Sequence, residues 1–415
     1  MSTIGIIGGG IIGLSTAWYL QEAGCQVTVL DQGNYTDGCS YGNAGMIVPS
    51  HIVPLAAPGV VRKGLRWLLD SRSPFGIRPE LDKDLVRWLY RFCLSANRKN
   101  VVSAIPHLAK LSLWSRALFQ DLSDDPRLDF ALQESGILLL YQKDKTGREE
   151  AQTAAIANQL GIEANAFTKA TLAAFDPTVQ YGARGAVFYP GDAIVEPSKL
   201  MTGLRRAILN KGGKVLVSKH VDKIYKDGRQ MVAISTGEES WTFDHYVICS
   251  GIWSASLLRQ LAVWIPVVSG KGYSFMTANT IGIHQPSLLI DHKVSVTPVG
   301  NQLRIGGTMV LGDHSTKISA NRIRGMITAI QQYYPALEIA MPALDDVWYG
   351  FRPCSPDGLP IIGRVPGVDN LVVATGHGMM GMSLGPATGK LVSQIILERS
   401  THLDTTPFVP ERFQC

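Results

Sequence analysis

Residues 3–31, TIGIIGGGIIGLSTAWYLQEAGCQVTVLD, constrain this chain more than any other stretch. Ile4, Ile6 and Ile7 are β-branched and suit a parallel strand covered on both faces. Gly8, Gly10 and Gly13 follow at once as G-x-G-x-x-G. The first permits a tight turn, the second lets a pyrophosphate approach the backbone, and the third lets the next helix lie close to the strand. Leu14, Ala17 and Trp18 give that helix an apolar stripe, Gly24 ends it, and Val27 to Leu30 predict a second strand. Asp31 then stands where a carboxylate accepts the hydroxyls of an adenosine ribose and would repel a 2′-phosphate. Strand, glycine turn, helix, strand and acid in this order predict a dinucleotide site rather than an ordinary Gly-rich turn, with FAD and NAD both open at this point.

At 415 residues and 46% hydrophobic, the chain can bury a large core and form two domains. No apolar run reaches membrane-spanning length, and the N-terminal run lacks a basic flank, so the reading is of a cytoplasmic chain or one peripheral on the cytoplasmic face of a membrane. A net charge of +5, spread along the sequence, argues against nucleic acid. Cys25, Cys39, Cys93, Cys249, Cys354 and Cys415 include no C-x-x-C pair, which predicts reduced thiols and no metal site.

Residues 39–46, CSYGNAGM, have neither helical nor strand period; their amides and the Ser40 hydroxyl suit an anion, against the alternative of a plain surface loop. Beyond Pro49, Pro54 and Pro58, apolar residues recur at helical spacing up to Phe92. Interleaved with them are Arg62, Lys63, Arg66, Arg72, Arg78, Arg87 and Arg91, beside Trp67, Trp88 and Tyr90. That mixture suits interfacial helices on anionic lipid and, equally, a packing face with snorkelling arginines. Residues 101–123 predict another helix, and GILLLY at 136–141 and 185–189 predict strands of a second sheet. A helix opened by Pro197 and a strand from Lys214 to Val217 return to the first domain, followed by a hairpin around Asp227-Gly228 and a strand ending at Ser250-Gly251. Short strands at 273–276, 294–296 and 303–305 and a helix from Ala320 to Tyr333 depart again. Leu371 to Ala374, the turn Gly376 to Gly381 and a helix from Ala387 to Leu397 repeat the opening order, which predicts a second ligand-facing helix end.

Several motifs follow one another in order: the glycine fingerprint, S-Y-G-N-A-G at 40–45, Lys271-Gly-Tyr273, G-F-R-P at 350–353, D-G-L-P-I-I-G at 357–363 and A-T-G-H-G-x-x-G at 374–381. Together they resemble the D-amino acid oxidase superfamily of FAD enzymes over essentially the whole chain. N-A-G-M with P-L-A-A-P-G and R-W-L-L is most similar to the bacterial D-amino acid dehydrogenases. Two departures stand out: Asp31 where the superfamily usually has glutamate, and Ser50-His-Ile-Val53, which brings in dehydrogenases of cyclic imino acids such as cis-4-hydroxy-D-proline. The resemblance implies an α/β plus α+β fold. Its Rossmann-type, glutathione reductase-like FAD-binding domain would take residues 1–50, 195–260 and 345–415. A discontinuous antiparallel-sheet substrate domain would take 51–194 and 261–344. It implies non-covalent FAD, because Cys354 does not match the position of covalent attachment in relatives that have one.

The same resemblance assigns Gly8, Gly10, Ile12 and Gly13 to the pyrophosphate, Asp31 and Gln32 to the ribose, and the Val221 backbone to the adenine. Ser40, Asn43, Ala44, Gly45 and Met46 would line the pyrophosphate and the dimethylbenzene-to-N5 side, with Ser250, Gly251 and Trp253 nearby. Gly376, His377, Gly378, Met379, Gly381, Met382 and Ser383 would edge the pyrimidine end, where helix amides stabilise negative charge. Arg352 would pair with the substrate carboxylate through its planar fork. Tyr273 and Tyr349 are candidates for the same anion, with the alternative that both are core aromatics, and His51 is a candidate pocket wall. The implied activity is oxidation of a D-amino or cyclic imino acid with electrons passed to a quinone or other carrier. The rivals are an oxygen-using glycine or sarcosine-type oxidase, a non-catalytic FAD-binding subunit, and plain NAD binding.

Overall fold

The computed structural model describes residues 1–34, 36–68, 70–78 and 82–414, without the side chains of Lys63 and Arg66. The expectations for Cys415 and for those two basic side chains therefore lie outside the described residues. The opening segment forms β1 (Thr3–Ile7), α1 (Ile11–Glu22) and β2 (Gln26–Leu30), with α1 buried from Ile11 to Gln21. Gly24, at φ +91°, turns the chain out of α1. The amphipathic stretch forms α2 (Val60–Trp67) and α3 (Lys83–Ser95), followed by α4 (Arg98–Ser123). Further on come β3 (Lys214–Leu216), β4 (His245–Ile248), β5 (Val268–Thr277), β6 (Gln302–Leu311) and α5 (Ala320–Tyr333). The chain closes with β7 (Trp348–Cys354), β8 (Ile361–Val365), β9 (Val368–Thr375) and α6 (Gly381–Ile396).

One six-stranded sheet runs β8-β9-β4-β1-β2-β3, parallel except for β8. The chain leaves β1 for β2 on one side and reaches β4 on the other, so strand order reverses at β1. Open α/β sheets bind ligands in the crevice beyond the strand ends at such a point. A nine-stranded sheet begins β7-β5-β6 and continues through Val294–Val299, Ser287–Leu289, Ile137–Tyr141, Gly185–Tyr189 and Asn165–Thr168, with Phe75–Ile77 added to β6. One of its faces is buried against α5 through Tyr273, Phe275, Ile323, Met326 and Ile330.

Two elements depart from the division read in the sequence. β7 falls within 345–415 but pairs antiparallel with β5, so the crossing back to the six-stranded sheet comes after Cys354. α4 falls within 51–194, yet its Leu108, Leu111 and Phe119 share a core with Leu384, Ala387 and Leu391 of α6. Both are long-range partnerships that a local apolar period does not reveal.

α1 and α6 lie against each other with little between them. A Cβ at Gly385 would stand 2.6 Å from Ile11 Cγ1, and one at Gly389 would stand 2.7 Å from Ser15 O. Gly389→Ala should therefore destabilise the chain by about 1–3 kcal/mol through overpacking, against the ~0.5–1 kcal/mol gain of a Gly→Ala change in an open helix. Denaturant titration reads the sign. An unchanged or raised midpoint would show that the two helices do not need this approach.

Candidate active site

Four turns meet beyond the carboxyl ends of the parallel strands. Gly8, at φ +109°, donates to Leu30 O at 2.8 Å, and Cys249 N–H donates to Ile7 O at 2.8 Å. A Cβ at Gly8 would stand 2.5 Å from Cys249 O, so only glycine allows this approach. Thr375 Oγ1 donates to Gly251 O at 2.8 Å, which ties the turn after β9 to the turn after β4. Gly8, Ser250-Gly251 and Gly376 thus surround one crevice.

Asp31 differs from its simple reading. Its Oδ2 accepts from Gly9 N–H at 2.5 Å and its Oδ1 from Gly33 N–H at 2.8 Å, so a ribose would meet only the remaining lone pairs. Segment 218–221 lies along the same edge, with Lys219 N–H donating to Asp31 O at 2.8 Å and the His220 ring 3.0 Å from Gln32 Oε1, which brings Val221 beside them.

The 38–46 loop is held at every point. Ser40 Oγ accepts from Ile11 N–H at 3.0 Å, capping the start of α1, and Asn43 Oδ1 accepts from Gly45 N–H at 2.8 Å. Ser274 Oγ donates to Gly42 O at 2.9 Å and Arg304 Nη1 donates to Asn43 O at 2.8 Å, both from the nine-stranded sheet. The Trp348 ring covers Gly42 and Gly350. Met46 pairs with Ile194, and Val48 N–H donates to Ser383 Oγ at 2.9 Å, which joins this loop to α6. Ser274, Arg304 and Trp348 escaped sequence reasoning; a charged or hydroxyl residue in an otherwise apolar strand was the available signal.

At the second glycine turn, Gly376 has φ +75°. His377 is buried, with Nε2 3.0 Å from Thr388 Oγ1 and no partner for Nδ1 among the described residues; burial pushes its pKa down to about 3. Met382 turns into the core shared with α1, while Met379 and Trp253 are exposed.

Arg352 sits half-buried on β7, its Nη1 donating to Thr308 O at 2.8 Å. Gly270 pairs with Arg352, and a Cβ at Gly272 would collide with the guanidinium, so glycines clear this face of the sheet. Tyr273 and Tyr349 pair with each other one residue out of phase with Arg352, and side chains alternate along a strand. Both belong to the face packed on α5, with Lys271 Nζ between them at 5.5 and 5.1 Å from their ring centres. Their placement beside the substrate anion is corrected: they are core aromatics. His51 Nδ1 is buried without a partner among the described residues, and burial pushes its pKa down to about 4. No hydrogen bond or ion pair joins it to Arg352 among those residues. Its neighbour Ser50 donates through Oγ to buried Asp192 at 2.6 Å, whose pKa burial pushes up to about 7. Cys354 is buried, and its thiol is pushed up to about 12, far from a nucleophile's range.

Comparison with known proteins decides the family. The model of DAO, FAD dependent oxidoreductase, matches residues 3–395. The chain belongs to this family. It is an FAD-dependent oxidoreductase, and the structure fits that cofactor: the Cβ position of Gly10 meets nothing nearer than Ser40 Oγ at 3.4 Å, Ser40 caps the facing helix end, and the buried Nδ1 of His377 has no partner among the described residues at the other turn. A D-amino acid dehydrogenase of Granulibacter bethesdensis is 29% identical over 418 residues, covering 98% of this chain and 99% of that one. One of Vibrio vulnificus is 29% identical over 398 residues, covering 94% and 95%. Among solved structures, glycine oxidase from Geobacillus kaustophilus has a TM-score of 0.79 at 23% identity, covering 99% of both chains. L-proline dehydrogenase from P. horikoshii has 0.77 at 18%, covering 100% and 98%. These two show a shared fold.

His377 gives the oxidoreductase a defined acid limb. Its pKa is near 6.5 in the unfolded chain and about 3 when folded, so the unfolded chain binds the proton first and stability falls as pH drops below 6.5. Between pH 7 and 5 this one group should remove about 2 kcal/mol. His377→Asn should flatten the thermal-melt profile over that range by a similar amount; an unaltered slope would mean the ring is not buried neutral.

Proposed function

We propose that this flavoenzyme oxidises D-amino acids at Cα and passes the electrons to a quinone or other carrier. The observation that carries the reading is Arg352, a half-buried cation whose guanidinium takes the space a side chain at Gly272 would fill and whose Nε–Nη2 edge has no partner among the described residues. FAD would be held non-covalently, with Gly8, Gly10, Ile12 and Gly13 at its pyrophosphate, Asp31, Gln32 and the Val221 backbone at its adenosine, and Ser40 to Met46 along its ring. When bound, FAD supplies a two-electron acceptor at N5. Arg352 pairs with the substrate carboxylate and so orients Cα. The amine enters neutral: its lone pair closes the C=N bond as the Cα–H leaves with its electrons, and the nitrogen's extra proton goes to water. Hydrolysis of the imine then gives the 2-oxo acid and ammonia, whereas a proline-type substrate would keep its ring. The Ser50-His-Ile-Val53 departure favours testing such cyclic imino acids alongside.

Anaerobic mixing with a panel of D- and L-amino acids and hydroxyprolines should bleach the flavin band with D-amino acids, and air should restore it slowly. Fast restoration would favour an oxidase, and no bleaching with any of them a non-catalytic subunit. Arg352→Met should keep its flavin and raise KM about 100-fold.

The exposed face of α3 supports a second proposal, contact with anionic lipid. Leu85, Trp88 and Phe92 are buried, whereas Val86, Tyr90 and Leu94 form a stripe 55%, 66% and 58% exposed, and Leu65 of α2 is 62% exposed. Arg62, Arg87, Arg98 and Lys99 stand exposed around it, as lipid headgroups require. No helix among the described residues is long and apolar enough to cross a membrane. The protein should sediment with phosphatidylglycerol vesicles and less with phosphatidylcholine, and Tyr90→Glu with Leu94→Glu should abolish that. Equal sedimentation of the double variant would refute the assignment.

A further inference from the structure

The hydrogen-bond pattern between β5 and β6 slips by one residue between Lys271 and Tyr273. On β6 the slip falls at Thr308, which has φ +63°. A bulge of this kind ordinarily places glycine at the left-handed position, because a branched side chain is sterically disfavoured there. Thr308 also buries its hydroxyl, and Oγ1 has no hydrogen-bond partner among the described residues. Two unfavourable features thus coincide at one residue, and packing relieves neither. Its carbonyl, turned by the bulge, holds Arg352 Nη1 at 2.8 Å. The bulge lies opposite Gly272, the position whose missing side chain makes room for that guanidinium. Nη1 is therefore engaged, and the Nε–Nη2 edge has no other partner among the described residues.

We propose that the Thr308 hydroxyl is a second hydrogen-bond donor to the substrate carboxylate, beside the free edge of Arg352. The bulge then has two roles: its carbonyl fixes the rotation of the guanidinium, and its hydroxyl meets the lone pair that a side-on arginine leaves open. This rests on the reading of Arg352 as the carboxylate site, and it gives the ligand's carboxylate three donors, two from the guanidinium edge and one from the hydroxyl.

The test uses the FAD-loaded full chain and acetate as a non-reacting carboxylate, with Thr308→Ser, Thr308→Val, Thr308→Gly and Arg352→Met. Acetate's inhibition constant and KM for the best substrate should rise about 10-fold in Thr308→Val and Thr308→Gly with kcat within 2-fold, and stay within about 3-fold in Thr308→Ser. Thr308→Gly should melt at a higher temperature than the native chain because it relieves the positive φ, while binding acetate worse; a purely structural residue would not separate the two. If Thr308→Val does not fold, Thr308→Gly decides. Native acetate affinity in Thr308→Gly with loss in Arg352→Met overturns the Thr308 assignment alone, and native affinity in Arg352→Met overturns the carboxylate site itself.

Discussion

The approach of α1 to α6 at Gly385 and Gly389 sets the position of every other part of the ligand crevice. Each helix follows a strand and a glycine-bearing turn, so each presents the unpaired N–H groups of a helix start. Because no side chain stands between the helices at two successive turns, the two starts are brought together across the end of one sheet. A bulkier residue at either glycine would separate them by an amount the parallel sheet beneath cannot follow, since β1, β4 and β9 are fixed in register. Turns from the two ends of the sequence thus stand together at one end of the sheet.

The 38–46 loop carries that geometry from the first sheet to the second. Its hydrogen bonds run to α1 through Ser40, to the nine-stranded sheet through Ser274 and Arg304, and to α6 through Val48 and Ser383. Arg304 is an expensive residue to bury, and it meets a backbone carbonyl rather than a carboxylate, so its role is directional. A loop held on three sides cannot move independently of the sheet that bears Arg352. The placement of this loop relative to Arg352 is accordingly a property of the whole fold.

The parts legible in the sequence were those written locally. Gly8 and Gly376 mark turns at positive φ, Gly13 marks a helix position whose packing admits no side chain, and Ala320 to Tyr333 shows its helical period plainly. What escaped was written between distant residues. β7 looked like part of the closing domain because it stands next to it in sequence, but its pairing with β5 is set by the opposite strand. α6 begins at Gly381, earlier than Ala387, because glycine and proline at its start mask a helix stabilised by burial against α1 and α4. Tyr349 stands close to Arg352 in sequence and Tyr273 pairs with Tyr349, yet an odd offset along the strand puts both on the opposite face from Arg352.

That reversal explains how one pair of strands serves two purposes. On the face toward α5, Lys271 is wholly buried between Tyr273 and Tyr349, its Nζ donating to Ser315 O at 2.6 Å and Lys317 O at 2.5 Å, with Asp313 at 3.5 Å. Burial lowers its pKa and Asp313 opposes the shift, so the ammonium serves to fasten segment 313–317 beneath the sheet. On the other face, Arg352 and Gly350 pair with Gly270 and Gly272, and the guanidinium keeps an edge free among the described residues. Both cations stand on adjacent strands at nearly the same height. One is enclosed by carbonyls and the other keeps an edge free among the described residues, and the face each cation occupies is set by the phase of a two-residue repeat.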